Sequence, residues 1–131
     1  MERTAVNPWD WSLKIGFNQA EIIEGQCRQL ICSGQTSVDA DGNPQHPGDM
    51  RAQVGLAMDN LEAVLAGADM TLANVVRFNV YTTDVDEFLA SADDADARFR
   101  AAGVRPPSTL LGVTRLASTE LMVELEATAA D

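Results

Sequence analysis

The chain has few of the residues that build metal, redox or nucleotide sites. Its 131 residues include only two cysteines and one histidine. Zinc sites take three or four Cys, His or carboxylate ligands, usually in recognisable spacing. We therefore expect no bound metal. The lack of a glycine-rich phosphate loop likewise predicts no nucleotide cofactor. Cys27 and Cys32 would lie ~16 Å apart on one continuous strand, too far to form a disulfide, so we expect both to be free thiols.

Basic residues and long apolar runs are scarce too. Nine Lys and Arg against twenty Asp and Glu give a formal net charge of −11. Nucleic-acid binding depends on clustered Lys and Arg, and here the basic residues are scattered. No segment approaches the ~20 apolar residues of a membrane span. We expect no nucleic-acid partner and no membrane attachment. Free thiols and the polar start of the chain favour a cytoplasmic protein.

What the chain does contain is the pattern of one globular domain, residues 1–131, in which residues 1–12 are expected to form an irregular arm. Apolar residues at three- and four-residue spacing predict a first helix, which begins after Asp49 and ends near Gly67. A second helix is predicted from Asp84 to Gly103. Short or alternating apolar runs predict strands. The predicted strands are 21–24, 29–33, 75–81, 108–113 and 121–128.

This order of elements predicts an α+β fold, with two helices packed on one face of a mixed β-sheet. Each helix has a single apolar stripe and needs one surface to cover it. The second face of the sheet also carries apolar groups. A chain of this size has no further element to cover that face, which favours self-association.

Two carboxylates stand out as candidate catalytic groups. Glu124 and Glu126 alternate along the last strand, so they lie on one face ~6.6 Å apart. Such a pair can supply a general acid or a base that orients water. The alternative is that both are solvent-facing acids. His46, in the polar loop 39–48, is interpreted as an exposed residue, and Cys32 as a buried structural thiol.

Several segments in order are similar to a known family. They are Ser33-Gly34-Gln35 after a short apolar strand, the segments 60–65 and 75–88, Pro106 to Leu116, and 123–127. After its N-terminal arm the chain resembles the RidA/YjgF family over nearly its whole length. The resemblance implies a chorismate-mutase-like fold, a homotrimer, and three ligand pockets at the subunit interfaces. It also implies hydrolysis of reactive enamines and imines to keto acids and ammonia.

The resemblance is weakest where the family's substrate contacts lie. Ser108 occupies the place of the arginine that clamps the substrate carboxylate, and Phe17 the place of a tyrosine. The asparagine expected in the second helix falls near Ala92. Ser33-Gly34 and Glu124, which in relatives positions the hydrolytic water, are retained.

The sequence therefore predicts a small-molecule-binding protein with a pocket at the subunit interface, rather than a standard 2-imino acid deaminase. With no clamping arginine, a neutral or weakly polar ligand is expected. The alternative left open is that Arg105 or Arg115 takes the place of that arginine and binds the carboxylate. The predicted pocket residues are Phe17, Ser33, Gly34, Ser108, Thr109, Leu110 and Glu124.

The alternative function is a divergent hydrolase of imines, enamines or related C–N compounds. In that case Glu124 positions water and Ser108 hydrogen-bonds the substrate. A ribonuclease activity, also associated with the family, is disfavoured by the acidic charge and by the lack of a histidine pair.

Overall fold

The alternating residues near the C-terminus form an inner strand of a five-stranded sheet. In the computed structural model, which describes residues 1–131, this strand is β7 (Val123–Ala130). It pairs with β5 (Val75–Thr82) along one edge, and with β3 (Gln29–Ile31) and the two-residue β4 (Gln35–Thr36) along the other. The edge strand β6 (Ser108–Gly112) lies beside β5 and runs parallel to it, whereas the other pairs are antiparallel. The predicted mixed sheet is confirmed.

The helices that pack on this sheet cover one of its faces. They are α2 (Met50–Ala66), α3 (Val85–Ser91) and α4 (Asp93–Ala101). A further short helix, α1 (Trp11–Ile15), precedes the sheet in the chain. The helices enclose a single core with the strand residues Val75, Val80, Val123 and Leu125, and the chain has the α+β fold that was expected.

Helix α2 is the central element of the core. Its N-cap residue Asp49 accepts a hydrogen bond from the Ala52 N–H at 3.0 Å, as the sequence predicted. Met58, Leu61 and Leu65 are fully buried on its sheet-facing side. Burying side chains of this size stabilises the fold by about 1.5–3 kcal/mol each.

A buried glutamine joins α2 to two other parts of the chain. The Gln53 side chain is completely buried and donates to the carbonyls of His46 (3.1 Å) and Glu120 (2.8 Å). Its oxygen accepts from the Met122 N–H at 2.8 Å. Because all its hydrogen bonds are made, the burial of this amide is compensated. These contacts fix the loop around His46 and the residues Glu120 and Met122, which come just before β7. His46 itself is exposed, as expected.

The second predicted helix is wrong in one respect: it is broken into α3 and α4 at Ala92, whose ψ is 0°. Asp84 does cap the first piece, accepting from the Glu87 N–H at 2.9 Å. The break places Asp93, Asp94 and Asp96 in the first turn of a new helix. Carboxylates there are stabilised by the helix dipole, whereas aspartate inside a helix is unfavourable.

The expectation of an irregular arm at residues 1–12 is also wrong. Residues Glu2–Val6 form strand β1, which pairs with β2 (Ala20–Glu24) in a separate two-stranded sheet. Arg3 ties this sheet to the main one, because it donates to Glu21 at 2.6 Å and to the carbonyl of Val75 at 2.9 Å. Strand β1 was not predicted, because the strand that pairs with it (β2) and the residue that pairs with Arg3 (Glu21) come later in the chain.

The face of the five-stranded sheet without helices is called the open face. It includes the exposed apolar residues Ile31 (76% exposed) and Leu111 (50% exposed). Its other members follow from the strand register. They are Arg77, Asn79, Tyr81, Thr109, Glu124, Glu126 and Thr128.

The structure also describes the two cysteines and the apolar character of the helices. Cys27 is exposed and Cys32 is buried, and both are free thiols, as predicted. Burial raises the pKa of the Cys32 thiol. No helix has the length and apolar character needed to cross a bilayer.

Candidate functional site

A cavity of about 560 Å³ lies between α1, the α3–α4 pair and the edge strand β6. We call it the helix-side cavity. Its deep wall is aromatic: Phe78 and Phe99 are buried with ring centroids 4.8 Å apart, and Phe88 is buried beside them. Ser108 and Leu110 line it from β6. Pockets of this size and apolar character typically bind small organic molecules.

Phe17 reaches the cavity because the chain turns sharply just before it. Gly16 ends α1 with φ of 108°, a conformation that favours glycine. The N–H groups of Gly16 and Phe17 both donate to the Ser12 carbonyl, at 2.9 and 3.1 Å. The Phe17 ring then packs edge-on against Trp11 at 5.8 Å. The N-terminal segment therefore forms one wall of the cavity.

Ser108 is half-buried, and its hydroxyl points back to the backbone two residues earlier in the chain. The Oγ donates to the Pro106 carbonyl at 2.9 Å. The donor is therefore already used, and the oxygen can only accept further hydrogen bonds. Thr109 also borders the cavity, but its hydroxyl lies on the open face, where it accepts from Arg77 at 2.5 Å.

The three positions at which the chain departs from the RidA/YjgF pattern share this cavity. Phe17, Ala92 and Ser108 all line it, although they come from the N-terminal segment, the helix break and β6. The resemblance implies a tyrosine, an asparagine and an arginine at these positions, so each expected departure removes or shortens a group able to donate a hydrogen bond. The changes therefore alter one site together.

The residues that the resemblance implies are retained form a second cluster on the open face. Glu124 lies partly buried, and its carboxylate sits directly over Gly34: a Cβ added to Gly34 would be 1.8 Å from Glu124 Oε1. Ser33 beside it is exposed. Any side chain at position 34 would force the Glu124 carboxylate to move, so its present position requires a glycine there.

Glu126 differs from Glu124 in its surroundings, although both face the same way as predicted. Glu126 accepts hydrogen bonds from Asn79 (3.0 Å) and the Tyr81 hydroxyl (3.3 Å). Burial and the neighbouring Glu126 charge raise the pKa of Tyr81. Glu124 makes no such contacts within the chain, so its carboxylate is available to a water or a ligand.

The two clusters lie on opposite sides of the sheet. Ser108 is in register with Phe78 and, beyond it, with Ala127, whose side chain faces the helices. Glu124 is in register with Tyr81 on the open face. Within one chain, therefore, Ser108 and Glu124 cannot contact the same small molecule.

Charged residues that the sequence did not single out surround the cavity opening. Lys14, Asp96 and Arg100 line it together with Arg105. Of the two arginines considered as substitutes for the missing one, Arg105 therefore reaches the site and Arg115 does not. No three His, Cys, Asp or Glu side chains come together in a way that could hold a metal ion.

The fold and this arrangement of residues define a known family. Residues 15–131 match a protein-family model described as Endoribonuclease L-PSP, and curated relatives carry the RutC family name. The chain belongs to the RidA/YjgF family, as its sequence indicated.

The similar proteins span most or all of the chain. The RutC family protein YjgH of Escherichia coli K12 is 32% identical over 125 residues, which cover 95% of this chain and 94% of YjgH. The mitochondrial protein mmf2 of Schizosaccharomyces pombe is 36% identical over 90 residues, covering 69% and 68% of the two chains. The crystal structure of the Rid family protein YyfB from Yersinia pestis, described as of unknown function, matches with a TM-score of 0.87 and 32% identity over 99% of both chains.

Proposed function

We propose that the protein binds a small molecule in a pocket built by neighbouring copies of a homotrimer, and that it is not a standard 2-imino acid deaminase. One observation carries this proposal. The helix-side cavity with Phe17 and Ser108 and the cluster of Gly34 and Glu124 lie on opposite faces of one chain's sheet. They can serve one ligand only when the open face of one copy meets the cavity of another.

The surface of the open face supports association. Ile31 and Leu111 expose large apolar side chains there. Apolar groups on a sheet face that no helix covers are typical of subunit interfaces. Neighbouring Asn79 and Tyr81 already donate to Glu126, so these donors stay paired when they are buried between subunits. The Asn79 Oδ1 has no partner within the chain and would need a donor from the neighbouring copy.

The chemistry of the cavity argues against standard deaminase activity. A bidentate Arg–carboxylate contact is stabilised by charge-assisted hydrogen bonds, worth about 1.5–3 kcal/mol each. At the corresponding position Ser108 donates its only proton to a backbone carbonyl. A small 2-imino acid held at that position loses this contact.

Assembly is tested by mass measurement in solution. Light scattering should give three times the 14.1 kDa chain mass. Leu111→Asp and Ile31→Asp should shift the protein toward monomer, because each places a charge in the interface. Ile22→Asp is the matched control, since Ile22 is 51% exposed but lies on β2. A monomer at every concentration would contradict the proposal.

A divergent hydrolase is the second candidate, favoured by the position of Glu124. Its carboxylate is held over Gly34 without a hydrogen-bond partner. It can take the proton of a water that adds to the carbon of a C=N bond. Addition of this water to a protonated imine gives a carbinolamine. The carboxyl group then returns its proton to the amino nitrogen while the hydroxyl proton leaves to water, which breaks the C–N bond and releases ammonia and a carbonyl compound.

Hydrolysis is tested with imines generated in situ from several amino acids, following the loss of the intermediate. If the protein accelerates this loss, Glu124→Gln should abolish the acceleration. Gly34→Ala should reduce it similarly, because the added Cβ displaces the carboxylate. Glu120→Gln, an exposed acid preceding β7, is the control. If the assembled protein does not accelerate the loss of the imine, the hydrolase proposal fails and only the binding function remains.

A gain-of-function variant tests the role of the lost arginine. Ser108→Arg combined with Phe17→Tyr should create or raise activity toward carboxylate-bearing imines. The reason is that both changes restore polar groups to one cavity. No gain in a correctly folded trimer would show that the arginine is not what limits this chain.

A further inference from the structure

Positive charge is concentrated at the helix-side cavity, against the trend of the whole chain. Lys14, Arg100 and Arg105 line it, and Asp96 is the only acidic residue that does. Three basic and one acidic side chain give a local formal charge of +2, whereas the chain carries −11. One-third of the chain's nine basic residues therefore surround one opening.

Within one chain these three cations form no ion pair, although Arg100 is near enough to Asp96 to oppose the rise that burial causes in the pKa of that carboxyl. Arg3, Arg28, Arg51 and Arg98 each form an ion pair, whereas Lys14, Arg100 and Arg105 form none. In a chain with twenty acidic residues, cations without partners are free to bind an anion from outside.

The cations and the apolar surface occupy different depths of the cavity. Phe78, Phe88 and Phe99 are buried, and with Leu110 they form the inner wall. Lys14, Arg100 and Arg105 are exposed and therefore lie at the opening. A ligand that satisfies both regions has an apolar body inside and an anionic group at its outer end.

The two arginines are held in place by the backbone. Arg100 lies in the last turn of α4, where the helix dipole favours a cation. Arg105 is followed by the buried Pro106, which restricts its backbone, and its carbonyl accepts from the Asn18 N–H at 3.0 Å. The backbone therefore fixes where each arginine starts at the opening, and binding has to order only the two side chains.

We propose that the cavity binds an amphipathic carboxylic acid with an aromatic or branched apolar body, and that Arg105 and Arg100 hold its carboxylate. The anion contact is then at the opening rather than at Ser108, so the ligand is larger than a short 2-imino acid. This inference rests on the proposed binding function and replaces the expectation of a neutral ligand. A cavity of about 560 Å³ is within the usual range for drug-sized ligands.

Calorimetric titration of the assembled protein with indole-3-propionate and with its neutral amide tests the proposal. The acid should bind at least tenfold more tightly than the amide, since a charge-assisted contact is worth about one such factor or more. Arg105→Gln and Arg100→Gln should each weaken acid binding by about tenfold and leave amide binding unchanged. Arg115→Gln is the control, because Arg115 is exposed, forms no ion pair and lies off the cavity.

Each contrary outcome has a distinct meaning. Equal binding of acid and amide would overturn the anion contact and leave the small-molecule function intact. Arginine variants that dissociate the trimer without changing the preference for the acid would make these residues assembly contacts and would also overturn it. If neither compound binds at millimolar concentration, this inference fails, whereas the proposed assembly is still decided by the mass measurement.

Discussion

The two faces of the main sheet, built from the same strands, have opposite characters. On the helix-covered face, Val123, Leu125, Ala127 and Ala129 of β7 are at most 2% exposed. The intervening residues Glu124, Glu126 and Thr128 are only partly buried on the open face. The helix-covered face is therefore part of the hydrophobic core. The open face carries both polar and apolar side chains, and no element of the same chain covers it.

The comparison separates the face that stabilises the single chain from the face that the single chain leaves uncovered. The helix-covered face contributes most of the buried apolar area and sets the position of each strand. The open face contributes little to the core, so it is free to carry Glu124 and the surface proposed for assembly. The following three predictions test that separation.

The largest effect is expected from matched leucines on the two faces. Leu125→Ala should lower the free energy of unfolding by about 2–5 kcal/mol, because Leu125 is fully buried and its truncation leaves a cavity. Leu111→Ala should cost under about 1 kcal/mol in the isolated chain, because Leu111 is half-exposed. Urea denaturation over a range of protein concentrations measures both. Comparable losses at high concentration would show that association buries the open face.

A medium effect is expected from the polar contact on the helix-covered side. Gln53→Leu should lower the free energy of unfolding by about 1–3 kcal/mol, because the Glu120 carbonyl and the Met122 N–H lose their partner. Gln26→Leu, in an exposed turn, is the control. An unchanged denaturation midpoint for Gln53→Leu would mean that water replaces the amide.

The smallest effect is expected on the open face, at the only tyrosine of the chain. Removing the Glu126 charge with Glu126→Gln should move the raised pKa of Tyr81 back toward its ordinary value of about 10, because the charge and its hydrogen bond disfavour the phenolate. Near-ultraviolet absorbance against pH follows this single phenol directly. Glu24→Gln on β2 should leave the titration unchanged.

The sign of the accompanying stability change follows from linkage. The folded-state pKa of Tyr81 is raised, so the folded protein retains this proton longer than the unfolded chain does. Stability from this group is complete below the unfolded pKa of about 10 and decreases as the pH rises through the folded value. Glu126→Gln should reduce that decrease. An equal decrease in both proteins would assign the shift to burial alone.

Elements with a strong local pattern were predictable. Helix α2 followed from the apolar spacing and from Asp49, which does cap it. Strand β1 was missed because its stability comes from pairing with β2 and from the Arg3–Glu21 contact, neither of which is local. The break at Ala92 was missed because the apolar stripe continues through it from Phe88 to Phe99.

The sequence named the candidate site residues but not their arrangement. Phe17, Ser108 and Leu110 do share a cavity, and Gly34 does contact Glu124. Their division between two faces could not be read from the sequence, since it depends on strand register. Lys14 and Arg100 carried no motif, and only the packing of α1 and α4 around β6 makes them neighbours.

The amino-acid sequence alone determined the acidic charge and the main helices and strands, and it named the positions expected to depart from the family pattern. These are composition or short-range patterns, governed by helical and strand periodicity. The tertiary structure decided that Phe17, Ala92 and Ser108 share one cavity, that Glu124 faces away from it, and that unpaired cations surround its opening. Such relations depend on the parallel pairing of β5 with β6, which joins residues about thirty positions apart and has no local signature.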